Sequence, residues 1–236
     1  MDNEENLTVD QTFDLAVKNH QNNNLQGSQN FYQKVLKIDP NHLGALNNLG
    51  IIFKALGEIQ KAKDCFEKAI EINPNYATAH NSLGYVFKKL GEHQKAKDCF
   101  EKTIEINPNH SIAHFNLGVA FHELGEIQKA KDCFEKAIEI NPNYATAHNN
   151  LGTIFQELGE IQKAKDCYEK AIESNPNYAT AHNNLGTIFQ ELRDNQKAKE
   201  CYEKAIVINT NYVDAHNNLG FVYGTIGNQK KSVYHY

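Results

Sequence analysis

The stretch Ala145–Tyr178, ATAHNNLGTIFQELGEIQKAKDCYEKAIESNPNY, decides the fold. Ala147, His148, Leu151, Ile154, Phe155 and Leu158 recur at steps of three and four, the spacing of one apolar helix face. Gly159 follows, the residue helices favour for the left-handed position just past their end. A second run through Ile161, Ala164, Cys167, Tyr168, Ala171 and Ile172 repeats the helical period. Asn175-Pro176-Asn177 stops it, because the residue before a proline is pushed out of the helical region. Asn177 is then placed to cap the next helix. The stretch therefore reads as a helix, a tight glycine turn and a second, antiparallel helix.

This phrase is copied along almost the whole chain of 236 residues. Copies begin at Leu43, Ala77, Ser111, Ala145, Ala179 and Val213, and Gly57–Asn81 recurs letter for letter as Gly125–Asn149. Such a chain has no single enzyme-like core. It stacks small units that bury their faces against their neighbours, and a stack offers an extended surface for binding. Gly152 lies mid-helix, where glycine costs roughly 0.5–1 kcal/mol relative to alanine. It returns as Gly50, Gly84, Gly118, Gly186 and Gly220. The expected gain is close approach of the paired helix through a small residue, Ala164 or its copies Ala62, Ala96, Ala130 and Ala198. Asp166 and Lys170, four apart, are expected to pair on the wet face of the second helix.

Composition narrows the class. A formal charge of -5 gives no basic footprint for nucleic acid. No apolar run approaches the ~18 residues of a membrane span. The acidic start Met1-Asp-Asn-Glu-Glu-Asn-Leu lacks the pattern of a secretory signal. Cys65, Cys99, Cys133, Cys167 and Cys201 are one repeat position copied five times. Stacked helices lie roughly 8–10 Å apart, beyond the reach of about 7 Å between Cα atoms that a disulfide allows. Intramolecular bridges are not expected, and reduced thiols suit a cytoplasmic location.

Leu151-Gly152, Phe155, Ala164, Tyr168, Ala171 and Pro176 fall where the tetratricopeptide repeat pattern places Leu-Gly, Tyr, Ala, Phe, Ala and Pro. In this the chain resembles that family from about Val9 to Tyr236, with residues 1–8 as a tail. It departs at the family's Trp position, which holds Leu46, His80, His114, His148, His182 and His216. The resemblance implies an all-α, right-handed superhelical solenoid of antiparallel helix pairs, with first helices lining a concave face. Val9–His42 reads as a degenerate first repeat: Leu15-Ala16 stands for Leu-Gly, Ser28 for Ala and Tyr32 for Phe, and its turn Asn22–Gly27 looks loose. Arg193 replaces a turn glycine and Thr210 a proline. Arginine disfavours positive φ, so a looser joint is expected near Leu192–Asn195.

No nucleophile–base–acid constellation separates itself from the repeat background, so no catalysis and no cofactor are expected. His110 and His114 have the four-residue spacing of a helical metal pair. Repeats stacked ~8–10 Å apart do not readily share a zinc ion held at about 2.0–2.1 Å, and histidine is expected instead to fill the slot of the missing Trp. The residues before each Leu-Gly are Asn48, Ser82, Asn116, Asn150, Asn184 and Asn218. In arrays resembling the O-linked N-acetylglucosamine transferase superhelix, the Asn at this place forms a ladder along the groove. A carboxamide both donates and accepts, so such a row suits an extended peptide held by its backbone. Thr78, Thr146, Thr180, Asn47, Asn81, Asn149, Asn183 and Asn217 are expected to keep that surface polar. Lys54, Lys88 and Lys89 come early, and Glu123, Glu157 and Glu191 later. That order predicts a ligand whose acidic part meets the N-terminal half. The basic trio of a chaperone-tail clamp is missing, since Asn47, Ile51, Asn81 and Tyr85 stand at those places.

Two readings follow: a stand-alone scaffold that binds a protein or extended peptide, or the substrate-recruiting arm of a larger enzyme such as a protein glycosyltransferase. The last copy, Val213–Tyr236, is incomplete. It favours the second reading, and it also leaves an uncapped C-terminal end open to self-association.

Overall fold

A computed structural model describes residues 7–225 and Gly227. Among the described residues there are thirteen α-helices and no strand, in two compact units, and the chain is an all-α helical-repeat solenoid. The first unit, ending at Leu124, holds α1 (Val9–Gln21), α2 (Leu25–Ile38), α3 (Leu43–Ala55), α4 (Ile59–Ile72), α5 (Ala77–Lys89), α6 (His93–Ile106) and α7 (Ser111–Glu123). The second, from Gly125, holds α8 (Ile127–Ile140), α9 (Ala145–Glu157), α10 (Ile161–Ser174), α11 (Ala179–Glu191), α12 (Asn195–Ile208) and α13 (Val213–Thr225). The second helix of the last copy and its possible role in self-association lie outside the described residues.

Within each unit a first helix pairs with the second helix of its own copy, and that second helix packs on the next first helix. Successive first helices also touch, α3 with α5, α5 with α7, and α11 with α13. This gives each unit a face built from first helices alone. The mid-helix glycines create the packing, though not against the expected alanines. A Cβ on Gly152 would stand 2.7 Å from Cε1 of Tyr168, and one on Gly186 2.6 Å from Cε1 of Tyr202. Gly50 and Gly84 meet Phe66 and Phe100 at 2.6 Å in the same way. The slot left by the missing side chain is therefore filled by an aromatic ring of the second helix. Tyr32, Phe66, Phe100, Phe134, Tyr168 and Tyr202 are the largest fully buried side chains.

The joints depart from expectation in three places. Asn177 does not cap α11; Tyr178 stands at the N-cap without a side-chain bond. Asn175 instead folds back at the end of α10, its Oδ1 accepting from the Asn177 N–H at 3.1 Å. Where histidine replaces that tyrosine, the ring does cap: His42 Nδ1 accepts from Ala45 N–H and His110 Nδ1 from Ala113 N–H, both at 3.1 Å. Asp166 accepts from Gln162 at 2.7 Å, and it is Lys165 and Glu169 that pair four apart on α10, at 2.9 Å. The first turn is well tied. Asn23 takes the left-handed position at φ 57°, Asn24 Oδ1 caps Gly27 N–H at 3.0 Å, and Asn24 Nδ2 donates to Asn19 at 2.7 Å.

Arg193 also keeps the turn closed, contrary to the expected loose joint. It sits at φ 61°, beside 74° for Gly159. The Asp194 N–H reaches Phe189 O at 2.8 Å, as Glu160 N–H reaches Phe155 O in the glycine turn. Asp194 adds a cap that the glutamates at its equivalent positions do not supply, accepting from Lys197 N–H at 3.1 Å. The turn forms, but with a side chain in a region that costs it about 1–2 kcal/mol. Arg193→Gly should therefore stabilise the protein by about 0.5–1 kcal/mol after the greater freedom of glycine in the unfolded chain is subtracted. Urea denaturation checks this, and a variant less stable than the parent would contradict it.

Candidate functional site

The first-helix face carries the asparagines, and in the second unit they bond to one another in a continuous relay. Asn218 Nδ2 donates to Asn183 Oδ1 at 3.1 Å, and Asn183 Nδ2 to Asn184 Oδ1 at 3.5 Å. Asn184 Nδ2 then donates to Asn149 Oδ1 at 3.1 Å, and Asn149 Nδ2 to Asn150 Oδ1 at 3.4 Å. Two classes of asparagine alternate along it. Asn150, Asn184 and Asn218 are half-buried, while Asn149 and Asn183 are buried, at 5% and 7% exposure. Asn149 and Asn183 were expected to belong to the polar surface. They are the inner links of the relay, each fixing the carboxamides on either side. Asn184, in the middle of the relay, spends one N–H and one lone pair on its neighbours, so one N–H and one acceptor site remain.

The first unit has the same elements with an interruption. Asn116 Nδ2 donates to Asn81 Oδ1 at 3.2 Å, Asn47 Nδ2 to Asn48 Oδ1 at 3.3 Å, and Asn48 Nδ2 to the Tyr32 hydroxyl at 3.1 Å. Ser82 is buried between these two segments, and Asn47 is buried beside it in the second. Phe115 stands where the other copies have Asn81, Asn149 or Asn183.

The phenols of the second helices reach this face through the glycine slots. Tyr168 donates to Gln156 Oε1 at 3.1 Å and lies 3.4 Å from Thr153 Oγ1. Tyr202 donates to Gln190 Oε1 at 2.9 Å and to Thr187 at 3.4 Å. Burial pushes both phenol pKa values up, which keeps the hydroxyls protonated as donors. Gln156 then donates to Glu191 of the next copy at 2.6 Å. This tyrosine–glutamine–glutamate link was not anticipated, although its signal is in the chain. Thr153 with Gln156 and Thr187 with Gln190 accompany Tyr168 and Tyr202, whereas Ile51 and Tyr85 stand at the threonine position where Phe66 and Phe100 replace the tyrosine.

The charged residues are tied across copies. Lys88 pairs with Glu123 at 3.1 Å, and Glu123 also meets His93 at 3.4 Å. Lys54 lies 4.5 Å from the centroid of the Tyr85 ring and Lys89 5.7 Å from it. Glu157 and Glu191 are exposed at the ends of α9 and α11. Lys88 and Glu123 thus belong to one unit and neutralise one another, while Lys54 and Lys89 gather round an aromatic ring.

The histidine series does more than fill a slot. Nε2 of His80, His114, His148 and His182 donates to the carbonyl of Pro74, Pro108, Pro142 and Pro176 at 2.9–3.0 Å, and His216 to Thr210 O at 2.9 Å. Each ring ties its helix to the preceding loop, which replaces a bulky packing residue with a hydrogen bond. His110 is held below the usual imidazole pKa by burial, so its neutral Nδ1 remains an acceptor for the cap. Among the described residues no group of three His, Cys, Asp or Glu side chains is placed to hold a metal.

The opposite, second-helix side of the second unit has shallow hollows beside its thiols. One of about 280 Å³ lies between Ile138, Leu151, Cys167 and Lys170, and one of about 520 Å³ repeats it at Ile172, Leu185, Cys201 and Lys204. Burial raises the thiol pKa to about 11 at Cys65 and Cys167 and to about 12 at Cys99 and Cys201. These are poor nucleophiles at neutral pH. A thiol that keeps its proton in the folded protein after the unfolded chain has lost it contributes stability fully below the unfolded value of roughly 8.5. That contribution is lost as pH rises towards the folded value. The urea midpoint should therefore fall between pH 8 and 10, and should fall less in a variant with these four cysteines replaced by alanine. Equal slopes in the two proteins would contradict the assignment.

The tetratricopeptide repeat profile matches five consecutive stretches, residues 44–76, 77–110, 111–144, 145–178 and 179–212, and a Sel1 repeat profile matches 213–236. A search of curated protein sequences finds no match. Among solved structures the fold is similar to Pseudomonas aeruginosa pilF, with TM-score 0.76, 19% identity, and 82% of this chain and 88% of that one covered. YrrB, described as a TPR protein with an unusual peptide-binding site, aligns with TM-score 0.61 and 24% identity over 78% of this chain and 95% of its own. MamA aligns with TM-score 0.61 and 28% identity over 69% of this chain and 95% of its own. No helix among the described residues is long and apolar enough to cross a membrane.

Proposed function

Because this chain belongs to the tetratricopeptide repeat family, a class of protein-interaction scaffold, we propose that it is a non-catalytic scaffold that holds a partner protein by an extended peptide laid along the first-helix face. The observation that carries this reading is the carboxamide relay of the second unit. Side chains fixed by their neighbours lose little freedom when a ligand arrives, so their remaining donors and acceptors act at low entropic cost. Asn150, Asn184 and Asn218 take the peptide backbone in the second unit, and Asn48 and Asn116 take it in the first, where Ser82 interrupts the row. Lys54 sets the charge of the first unit's face and Glu157 and Glu191 that of the second, while Lys88 and Glu123 neutralise one another. YrrB, a fold relative with a peptide-binding site, lends support to a peptide as the ligand class. The net charge of -5 argues against nucleic acid, and the protonated thiols suit a reducing, cytoplasmic setting.

An array of random peptides tests the reading. Asn116→Ala, Asn150→Ala and Asn184→Ala combined should lower affinity for the best array peptide about 30-fold, taking roughly 0.5–1 kcal/mol for each lost hydrogen bond. Unchanged affinity with unchanged helicity would remove the carboxamides from the mechanism.

A further inference from the structure

Within the first unit the row of carboxamides is broken at Ser82, and that break leaves a buried acceptor bare. Asn116 to Asn81, Asn184 to Asn149 and Asn218 to Asn183 each span 35 positions, with Nδ2 reaching Oδ1 at 3.1–3.2 Å. The same offset joins Ser82 to Asn47. A serine hydroxyl stops short of the place where an asparagine Nδ2 would stand. Asn47 is 4% exposed, and its Oδ1 is buried with no hydrogen-bond partner. Its own Nδ2 is committed to Asn48, so nothing among the described residues serves the oxygen. A buried acceptor left bare is unfavourable until a donor reaches it.

What surrounds the break defines the donor's owner. Tyr85 lies one turn beyond Ser82 on α5, and its ring gathers Lys54 from α3 and Lys89 from its own helix. Lys88 is matched by Glu123, while Lys54 and Lys89 stack on a ring, which does not cancel their charge. Asn47 and Lys54 are seven residues apart on α3, about 10 Å along the axis. An extended peptide covers that distance in about three residues.

We propose that the Ser82 gap and the Tyr85 lysines form one specificity subsite for an acidic peptide segment. An N–H of the segment donates to Asn47 Oδ1, and an aspartate or glutamate about three residues away meets Lys54 and Lys89. The subsite rests on the first-helix face being the ligand face. In the second unit Asn184 and Asn218 supply the donor that Ser82 lacks, so this selectivity belongs to the first unit.

The test uses the full chain and fluorescein-labelled short peptides of glycine, serine and alanine carrying two glutamates, two glutamines or two lysines. Anisotropy at low ionic strength reads the affinities. The glutamate peptide should bind about tenfold tighter than the lysine peptide, as expected for close charge pairing. Lys54→Gln with Lys89→Gln should erase that preference. Ser82→Asn supplies its own donor to Asn47 and should weaken the glutamate and glutamine peptides alike. Equal binding of all three peptides by the parent, or a Ser82→Asn variant with parental affinities, would overturn the subsite. In either case a loss in the triple Asn116, Asn150 and Asn184 alanine variant would leave the binding face standing. No binding of any peptide by the parent would overturn both.

Discussion

Tyr202→Ala should destabilise the second unit by about 4 kcal/mol, within the 3–5 kcal/mol typical of removing a buried aromatic ring. Tyr202 is completely buried and packs with Ala198, Leu219, Val222 and Tyr223, with Phe189 and Ile206 against the cluster. Its ring also fills the slot over Gly186. It therefore joins three helices, α11, α12 and α13, and its loss should release α13 first. Tyr202→Phe should cost only about 1 kcal/mol, the worth of the hydroxyl's hydrogen bonds to Gln190 and Thr187. Phenylalanine already stands at this position in Phe66 and Phe100. Urea unfolding followed by circular dichroism separates the two cases. Equal losses for Ala and Phe would place the stabilisation in the hydroxyl and contradict the packing account.

Gly186→Ala is the complementary experiment and should destabilise by about 1–2 kcal/mol. Alanine in a helix interior is worth up to about 1 kcal/mol over glycine, so on propensity alone the variant would be more stable. The added Cβ would meet Tyr202 Cε1 at 2.6 Å, Cδ1 at 2.8 Å and Cζ at 3.0 Å. A ring with no exposed surface has nowhere to retreat, and overpacking of this kind costs typically 1–3 kcal/mol. The clash wins. The same Cβ should be nearly harmless in a Tyr202→Ala background, where the ring is gone. The pair is then strongly non-additive, as residues in contact are. A stabilised Gly186→Ala single variant would show that the slot is not closed by the ring.

The helix boundaries were legible because period and punctuation agree: apolar steps of three and four, then glycine, then Asn-Pro-Asn. The glycine partner was not, for a geometric reason. Ala164 and Tyr168 are four apart on α10, so both lie on the face turned towards α9 and the period alone cannot choose between them. The choice between Asn149 and Asn150 failed similarly. Adjacent residues point about 100° apart on a helix, and only the packed neighbours determine that Asn149 turns inward as a relay while Asn150 stays at the surface. Arg193 was misjudged by treating backbone cost as loss of the turn. The cost is small enough for the turn bonds and the Asp194 cap to hold the joint closed. Ser82 stood out in the sequence as the exception in the asparagine row, but the bare oxygen of Asn47 that gives it meaning requires coordinates.

The most direct test of the binding face is a nuclear magnetic resonance titration, read at side-chain carboxamides and backbone amides, with the best peptide from the array. The account predicts that the Asn116, Asn150, Asn184 and Asn218 NH2 signals shift on saturation, while residues beside the second-helix hollows, Cys167, Lys170, Cys201 and Lys204, stay in place. Shifts confined to those hollows, with the carboxamides unmoved, would contradict it.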